Sequence, residues 1–140
     1  MAYIDTSVLV AYYYPEALSS AAQLEIRAAS PPAKSMLCEL EFISALALKT
    51  RTGELPAESA QVILSVFRRH RTDGIYRILP IEDREYSTAC KWLSMFKTTL
   101  RAPDALHLAA AFSNGLTLIT ADKALSQAAD LFHISHRLLG

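Results

Sequence analysis

Asp5, Glu41, Asp104 and Asp122 are the residues of this sequence whose types and positions suit chemistry. Each stands where a short β-prone run gives way to a helix, or in that helix's first turn. Asp5 follows Ala2-Tyr3-Ile4, Glu41 follows Lys34 to Leu37, Asp104 sits beside Pro103 ahead of Ala105 to Phe112, and Asp122 follows Leu116 to Thr120. In an open α/β sheet, the C-terminal ends of strands and the adjoining helix N-termini share one rim, so parallel strands can gather all four acids there. Carboxylates so gathered cannot all stay ionised, because like charges raise one another's pKa. A divalent cation removes the conflict, and oxygen ligands without His or Cys favour Mg²⁺ or Mn²⁺ over zinc.

The elements needed to position them are legible in order. Thr6-Ser7 are capping residues ahead of a helix over Val8 to Tyr14, which Pro15 ends. Ala22, Ile26 and Ala29 repeat at helical spacing within Ser19 to Ser30, and Pro31-Pro32 closes that run. Lys34 to Leu37 is a second strand and Glu39 to Thr50 a helix with Leu40, Ile43 and Ala47 on one stripe and Leu46 alongside. Pro56 starts a helix that turns Ala60, Ile63, Leu64 and Phe67 inward. Tyr76 to Ile81 is a third strand. Glu82 to Lys97 is a helix with the stripe Tyr86, Ala89, Leu93 and Phe96, and Lys123 to Asp130 is a last helix before an edge strand in Phe132 to Leu138. Strands alternating with helices predict one α/β domain over 1–140 with helices layered on a mainly parallel sheet.

Bulk properties narrow the function. Lysine plus arginine equals aspartate plus glutamate, 14 against 14, so no global basic field announces a nucleic-acid binder and any such role rests on local charge. Although 51% of residues are hydrophobic, charge or proline interrupts each apolar run before the roughly 18 residues a membrane helix requires. The first strand begins without a basic leader, which points to a cytoplasmic protein. Cys38 and Cys90 form no CxxC pair and read as buried thiols of a reducing compartment.

With those pieces in place, the chain resembles the PIN-domain nucleases, and among them the VapC-type toxins of toxin–antitoxin pairs. The resemblance is carried by DTSVLV from Asp5, ELEFISAL around Glu41, RAPDALHLAAA from Arg101 and LITAD ending at Asp122, in that order across nearly the whole chain. It implies a three-layer α/β/α fold, Mg²⁺- or Mn²⁺-dependent endoribonuclease activity, a homodimer, and inhibition by a small cognate antitoxin. Asp5, Glu41, Asp104 and Asp122 match the family's acidic quartet. Thr6 and Thr120 match its hydroxyl positions and would orient carboxylates from behind. The implied chemistry is hydrolysis of an RNA phosphodiester by a metal-activated water, with Asp5 and Asp104 direct ligands, Asp122 direct or through water, and Glu41 orienting the water or binding through one.

The remaining charged and aromatic residues have plainer readings. Glu39 is a solvated neighbour of Glu41, His107 a core histidine donating one hydrogen bond, and Asp83 and Asp130 helix-end charges. Lys49, Arg51, Arg68, Arg69 and Arg71 are the candidate RNA contacts, although the last three also suit a helix C-terminus. Tyr12, Tyr13 and Tyr14 suit base stacking or packing against a core or partner. Two other functions compete: a PIN-like module that captures RNA or an antitoxin without cutting, and a phosphotransfer α/β domain. Against the second, Ser7 stands where a haloacid-dehalogenase-like phosphatase needs a second aspartate, and the mid-chain aspartate and later lysine of a receiver domain are missing. A dinucleotide binder is excluded by the lack of a Gly-rich loop after the first strand.

Overall fold

Ala2-Tyr3-Ile4 forms β1, which is buried on both faces, and Asp5 then stops the strand and caps α1 (Thr6–Tyr13) by accepting the Val8 N–H at 3.2 Å. The computed structural model describes residues 1–140. The chain continues through α2 (Ser19–Ala28), β2 (Ala33–Ser35), α3 (Met36–Arg51), α4 (Ala57–Thr72), β3 (Arg77–Leu79) and α5 (Asp83–Leu93). It finishes with α6 (Ala102–Ser113), β4 (Thr117–Thr120), α7 (Lys123–Leu131) and β5 (His136–Leu138).

All five strands are parallel, in the order β3-β2-β1-β4-β5. The chain first winds outward from β1 to β3, then crosses back to β4 and winds outward the other way. Because parallel crossovers are right-handed, the two directions place helices on opposite faces. The helices accordingly pack in two groups, α1 to α4 and α5 to α7, giving three layers around one continuous core. Winding reverses between β1 and β4, so their C-terminal ends flank the crevice where open α/β sheets bind ligands. Ile4 pairs with Ile119, which sets Asp5 beside Thr120.

Several expected features shift. The Lys34 to Leu37 strand ends at Ser35, whose extended backbone caps α3, so Met36, Leu37 and Cys38 are helical. The α3 stripe of Leu40, Ile43 and Ala47 faces solvent, while Cys38, Glu39, Phe42 and Leu46 face the core. Helix α5 ends at Leu93, and Phe96, at φ +52°, is 91% exposed rather than part of a buried stripe. The buried face of α5 is Glu85, Ala89 and Trp92, with Trp92 stacked on Phe132. Cys90 is exposed, and only Cys38 is a buried thiol.

Glu39 is the largest reversal. It is buried, and its carboxylate pairs with Lys34 at 3.3 Å and Arg71 at 3.1 Å. Lys34 is wholly buried, with its ammonium over the rings of Phe67 (4.9 Å) and Tyr76 (5.1 Å). Burial pushes the lysine below its ordinary pKa, against the opposing pull of Glu39. Glu39→Gln leaves that ammonium without its carboxylate and is expected to cost about 3 kcal/mol. Urea unfolding of the two proteins checks this, and a difference near zero would mean that the pair is not what anchors β2 to α3.

Candidate active site

The switch point is built around Asp5. Its carboxylate is 3% exposed and accepts three hydrogen bonds, from Ser7 Oγ (2.6 Å), Val8 N (3.2 Å) and Thr120 Oγ1 (2.5 Å). Burial still raises its pKa, and these donors together with the charge of His107 pull it back down. Ser7 Oγ also accepts from Ala121 N (2.8 Å) and Thr120 Oγ1 from Asp122 N (3.0 Å), so the two hydroxyls tie the end of β1 to the end of β4.

Glu41 projects from the second turn of α3 and is half-buried. Its Oε1 accepts from Thr6 Oγ1 (2.8 Å) and His107 Nε2 (2.5 Å), joining α3 to α1 and α6. His107 is 2% exposed, and its Nδ1 lies 2.7 Å from Tyr3 Oη, which in turn bonds Ser35. Burial disfavours the imidazolium, but the Cys38 sulfur, Glu41 and the charge of Asp5 outweigh it and raise the pKa to about 10. His107 is therefore a buried cation donating from both nitrogens. Burial likewise opposes the Glu41 carboxylate, and the His107 bond and charge with the Thr6 hydroxyl hold it below its ordinary range.

Asp104 and Asp122 complete the rim from two helix N-termini. Asp122 caps α7, its Oδ1 accepting from Ala124 N (2.8 Å) and Leu125 N (3.3 Å). Asp104 lies at the third position of α6, after Ala102 and Pro103, and accepts the Arg101 N–H at 3.4 Å. Burial and the charges of Asp122 and Glu41 raise the Asp104 pKa, against the Arg101 N–H and His107. Glu41, Asp104 and Asp122 line one polar cleft of about 490 Å³ together with Thr99, Arg101, Pro103 and Ala124. Each of the three carboxylates spends one oxygen on the protein and leaves the other without a partner in the chain.

No three of the chain's acidic, histidine or cysteine side chains stand close enough to hold an ion between them. The donor set nevertheless fits a hard divalent cation in kind. Small cations of this class keep several waters and need one or two carboxylates, with substrate phosphate completing the shell. Asp5, which the sequence suggests as a direct ligand, is not among the residues lining the cleft, and both of its oxygens accept hydrogen bonds.

The candidate RNA contacts do not gather at this cleft. Lys49 pairs with Glu54 (2.7 Å) and covers the Tyr14 ring, and Arg71 is committed to Glu39. Arg51, Arg68 and Arg69 are exposed, and none of them lines the cleft. The tyrosines pack inward, Tyr13 against Phe42, Phe67 and Tyr76. Three contributors escaped the sequence reading. Ser7 was legible in the DTS run as a hydroxyl two residues from Asp5. Arg101 was visible only as part of a motif. The link from His107 to Glu41 spans 66 positions and leaves no local signal.

A PIN domain family model matches residues 2–131. No curated protein matches the chain. Among solved structures, FitAcB from Neisseria gonorrhoeae is similar at TM-score 0.69 and 20% identity, over 97% of this chain and 96% of that one. VapC20 of Mycobacterium tuberculosis, described as a sarcin-ricin loop cleaving toxin, is similar at TM-score 0.71 and 19% identity, over 91% and 95%. VapBC2 from Rickettsia felis, bound to a DNA fragment from its promoter, is similar at TM-score 0.71 and 14% identity, over the full length of both chains.

The Glu41–His107 pair gives stability a defined pH dependence. His107 titrates at about 10 in the folded chain against 6.5 for a free imidazole, so its contribution is complete below 6.5 and is lost as pH rises through 10. Glu41 is shifted down from 4.5, so its share is present above 4.5 and is lost as pH falls through its folded value. Urea midpoints are expected to decline between pH 6.5 and 10, and to decline less in His107→Gln. Identical pH profiles for the two proteins would show that the imidazolium is not part of the folded state.

Proposed function

Because the chain belongs to the PIN-domain family, we propose that it is a divalent-metal-dependent endoribonuclease of the cytoplasm and the toxin of a toxin–antitoxin pair. The observation that supports this reading best is the set of three carboxylates on three helices. All three line one cleft at the switch point of the sheet, and each keeps one oxygen without a partner in the chain.

Asp104 and Asp122 would hold Mg²⁺ or Mn²⁺, with Glu41 reaching it through water, and the Asp5 carboxylate adds to the negative field that draws the ion in. Such an ion supplies positive charge to phosphate oxygens and makes water acidic enough to act as a nucleophile near neutral pH. Glu41, fixed and kept ionised by Thr6 and His107, offers Oε2 as an acceptor that orients the attacking water. Thr120 and Ser7 hold Asp5 in place, and Arg101 presents a guanidinium on the same cleft for the substrate phosphate.

The partner reading draws on the opposite property of α3. Ile43, Ala47 and Leu64 line an apolar groove of about 230 Å³ between α3 and α4, and Leu40 beside it is 68% exposed. Such a groove suits the apolar face of an antitoxin helix. The solved relatives from Klebsiella pneumoniae and Salmonella typhimurium are described as a toxin–antitoxin complex and as DNA-bound VapBC. We also propose that the chain forms a homodimer. No helix is long and apolar enough to cross a membrane.

Purified protein is expected to cut RNA with Mg²⁺ or Mn²⁺ and to stop in excess EDTA. Asp104→Ala is expected to lower the rate about 100-fold or more while its thermal unfolding stays close to that of the parent. Gel-resolved cleavage of a labelled RNA measures both, and full activity in EDTA or in Asp104→Ala would refute the proposal.

A further inference from the structure

The rim on either side of the acidic cleft is strongly asymmetric. Toward β2 and β3 the rim carries a separate hollow of about 410 Å³ lined by Met36, Leu37, Leu40, Leu79, Ile81 and Tyr86, with no charged side chain in its lining and the nearby Arg71 guanidinium committed to Glu39. Toward α7 the cleft runs, through the shared residues Thr99 and Ala124, into a second hollow of about 130 Å³. Lys97, Thr98, Thr99 and Gln127 supply the polar groups of that hollow, and all of them can donate while none is a carboxylate.

Ion pairing occupies some of the chain's cations and leaves others free, Arg68 and Arg69 at the end of α4 among them, so position relative to the cleft is what separates the free ones. Lys34, Lys49, Arg71, Arg84 and Arg137 are each held by a glutamate within 3.3 Å. Arg101 on the cleft and Lys97 on the adjoining hollow have no acidic partner. Both side chains are exposed, so both charges are available to a ligand without first breaking a contact.

Resting on the endoribonuclease reading, we propose that the RNA backbone leaves the acidic cleft over the α5–α6 loop, its phosphates held by Arg101, Thr99, Lys97 and Gln127. The arginines at the end of α4 take no part. A phosphate at the carboxylates has donors on one side and apolar side chains on the other, so the strand follows the donors. Affinity for single-stranded RNA then depends on two cations that lie on the α7 side of the site.

The test measures binding of a fluorescein-labelled single-stranded RNA of mixed sequence by anisotropy across a salt series, in EDTA, with RNA integrity checked on a gel. The double variant Lys97→Gln/Arg101→Gln is expected to bind about tenfold or more weakly, its salt slope falling by about 0.7 for each cation removed. Arg68→Gln/Arg69→Gln is expected to stay within about twofold of the parent. Thermal unfolding controls for the fold, because none of the four replaced side chains makes an ion pair. Parent-like binding by the first variant, or a larger loss in the second, overturns the proposed track while leaving metal-dependent cleavage to stand on the Asp104 result. Donor-dependent binding without any metal-dependent cleavage supports the track and refutes the nuclease reading. No RNA binding by the parent overturns the track, and the cleavage assay with Mg²⁺ or Mn²⁺ then decides the nuclease reading by itself.

Discussion

Carboxylates crowded at one sheet edge repel one another, and the rim of this molecule is built as an answer to that repulsion. Asp5 and Asp122 each sit on a helix N-terminus, where orphan N–H groups and the helix dipole favour negative charge. Glu41 is met by a buried imidazolium. Asp104 has the least relief, one long backbone bond, and burial with its acidic neighbours pushes its pKa upward. The protein thus engages both oxygens of Asp5 but only one of each of Glu41, Asp104 and Asp122, the three carboxylates that line the cleft. Incomplete neutralisation is what makes the site attractive to a cation or to a group the cation brings.

The parts of this arrangement that local rules control were legible in the sequence. A strand of three residues followed by Asp-Thr-Ser, a proline beside an aspartate, and Thr-Ala-Asp after an uncharged run all mark junctions by capping and backbone preference. Those junctions depend on neighbours a few residues away. The parallel sheet followed from their repetition, since each strand must return by a crossover.

What escaped were the choices made between distant segments. Periodicity showed that α3 has an apolar stripe at Leu40, Ile43 and Ala47 without revealing that its core face is Cys38, Phe42 and Leu46. Both faces carry apolar residues at helical spacing, so the pattern alone does not orient the helix. The burial of Lys34 has no local signal, because nothing near it in sequence foreshadows the Phe67 and Tyr76 rings or the Arg71 that shares Glu39 with it. Basic residues at the end of α4 drew attention by their clustering, yet pairing and position decide whether a charge is available, and both are tertiary properties.

Glu39 and Glu41 show how far two acids of the same type can diverge. Two positions apart on a helix, they point roughly 200° from one another around its axis, so they cannot compete for one site. Glu39 turns to Lys34 on β2 and Arg71 on α4, while Glu41 turns to Thr6 on α1 and His107 on α6. The opening turns of α3 are therefore pinned from two sides by charge, and one of those pins carries the carboxylate that faces the cleft. A buried ion pair adds little net stability over an apolar packing, but it tolerates few alternative registers. On this view Glu39 serves the site without touching it: by fixing the rotation of α3 it fixes where Glu41 points.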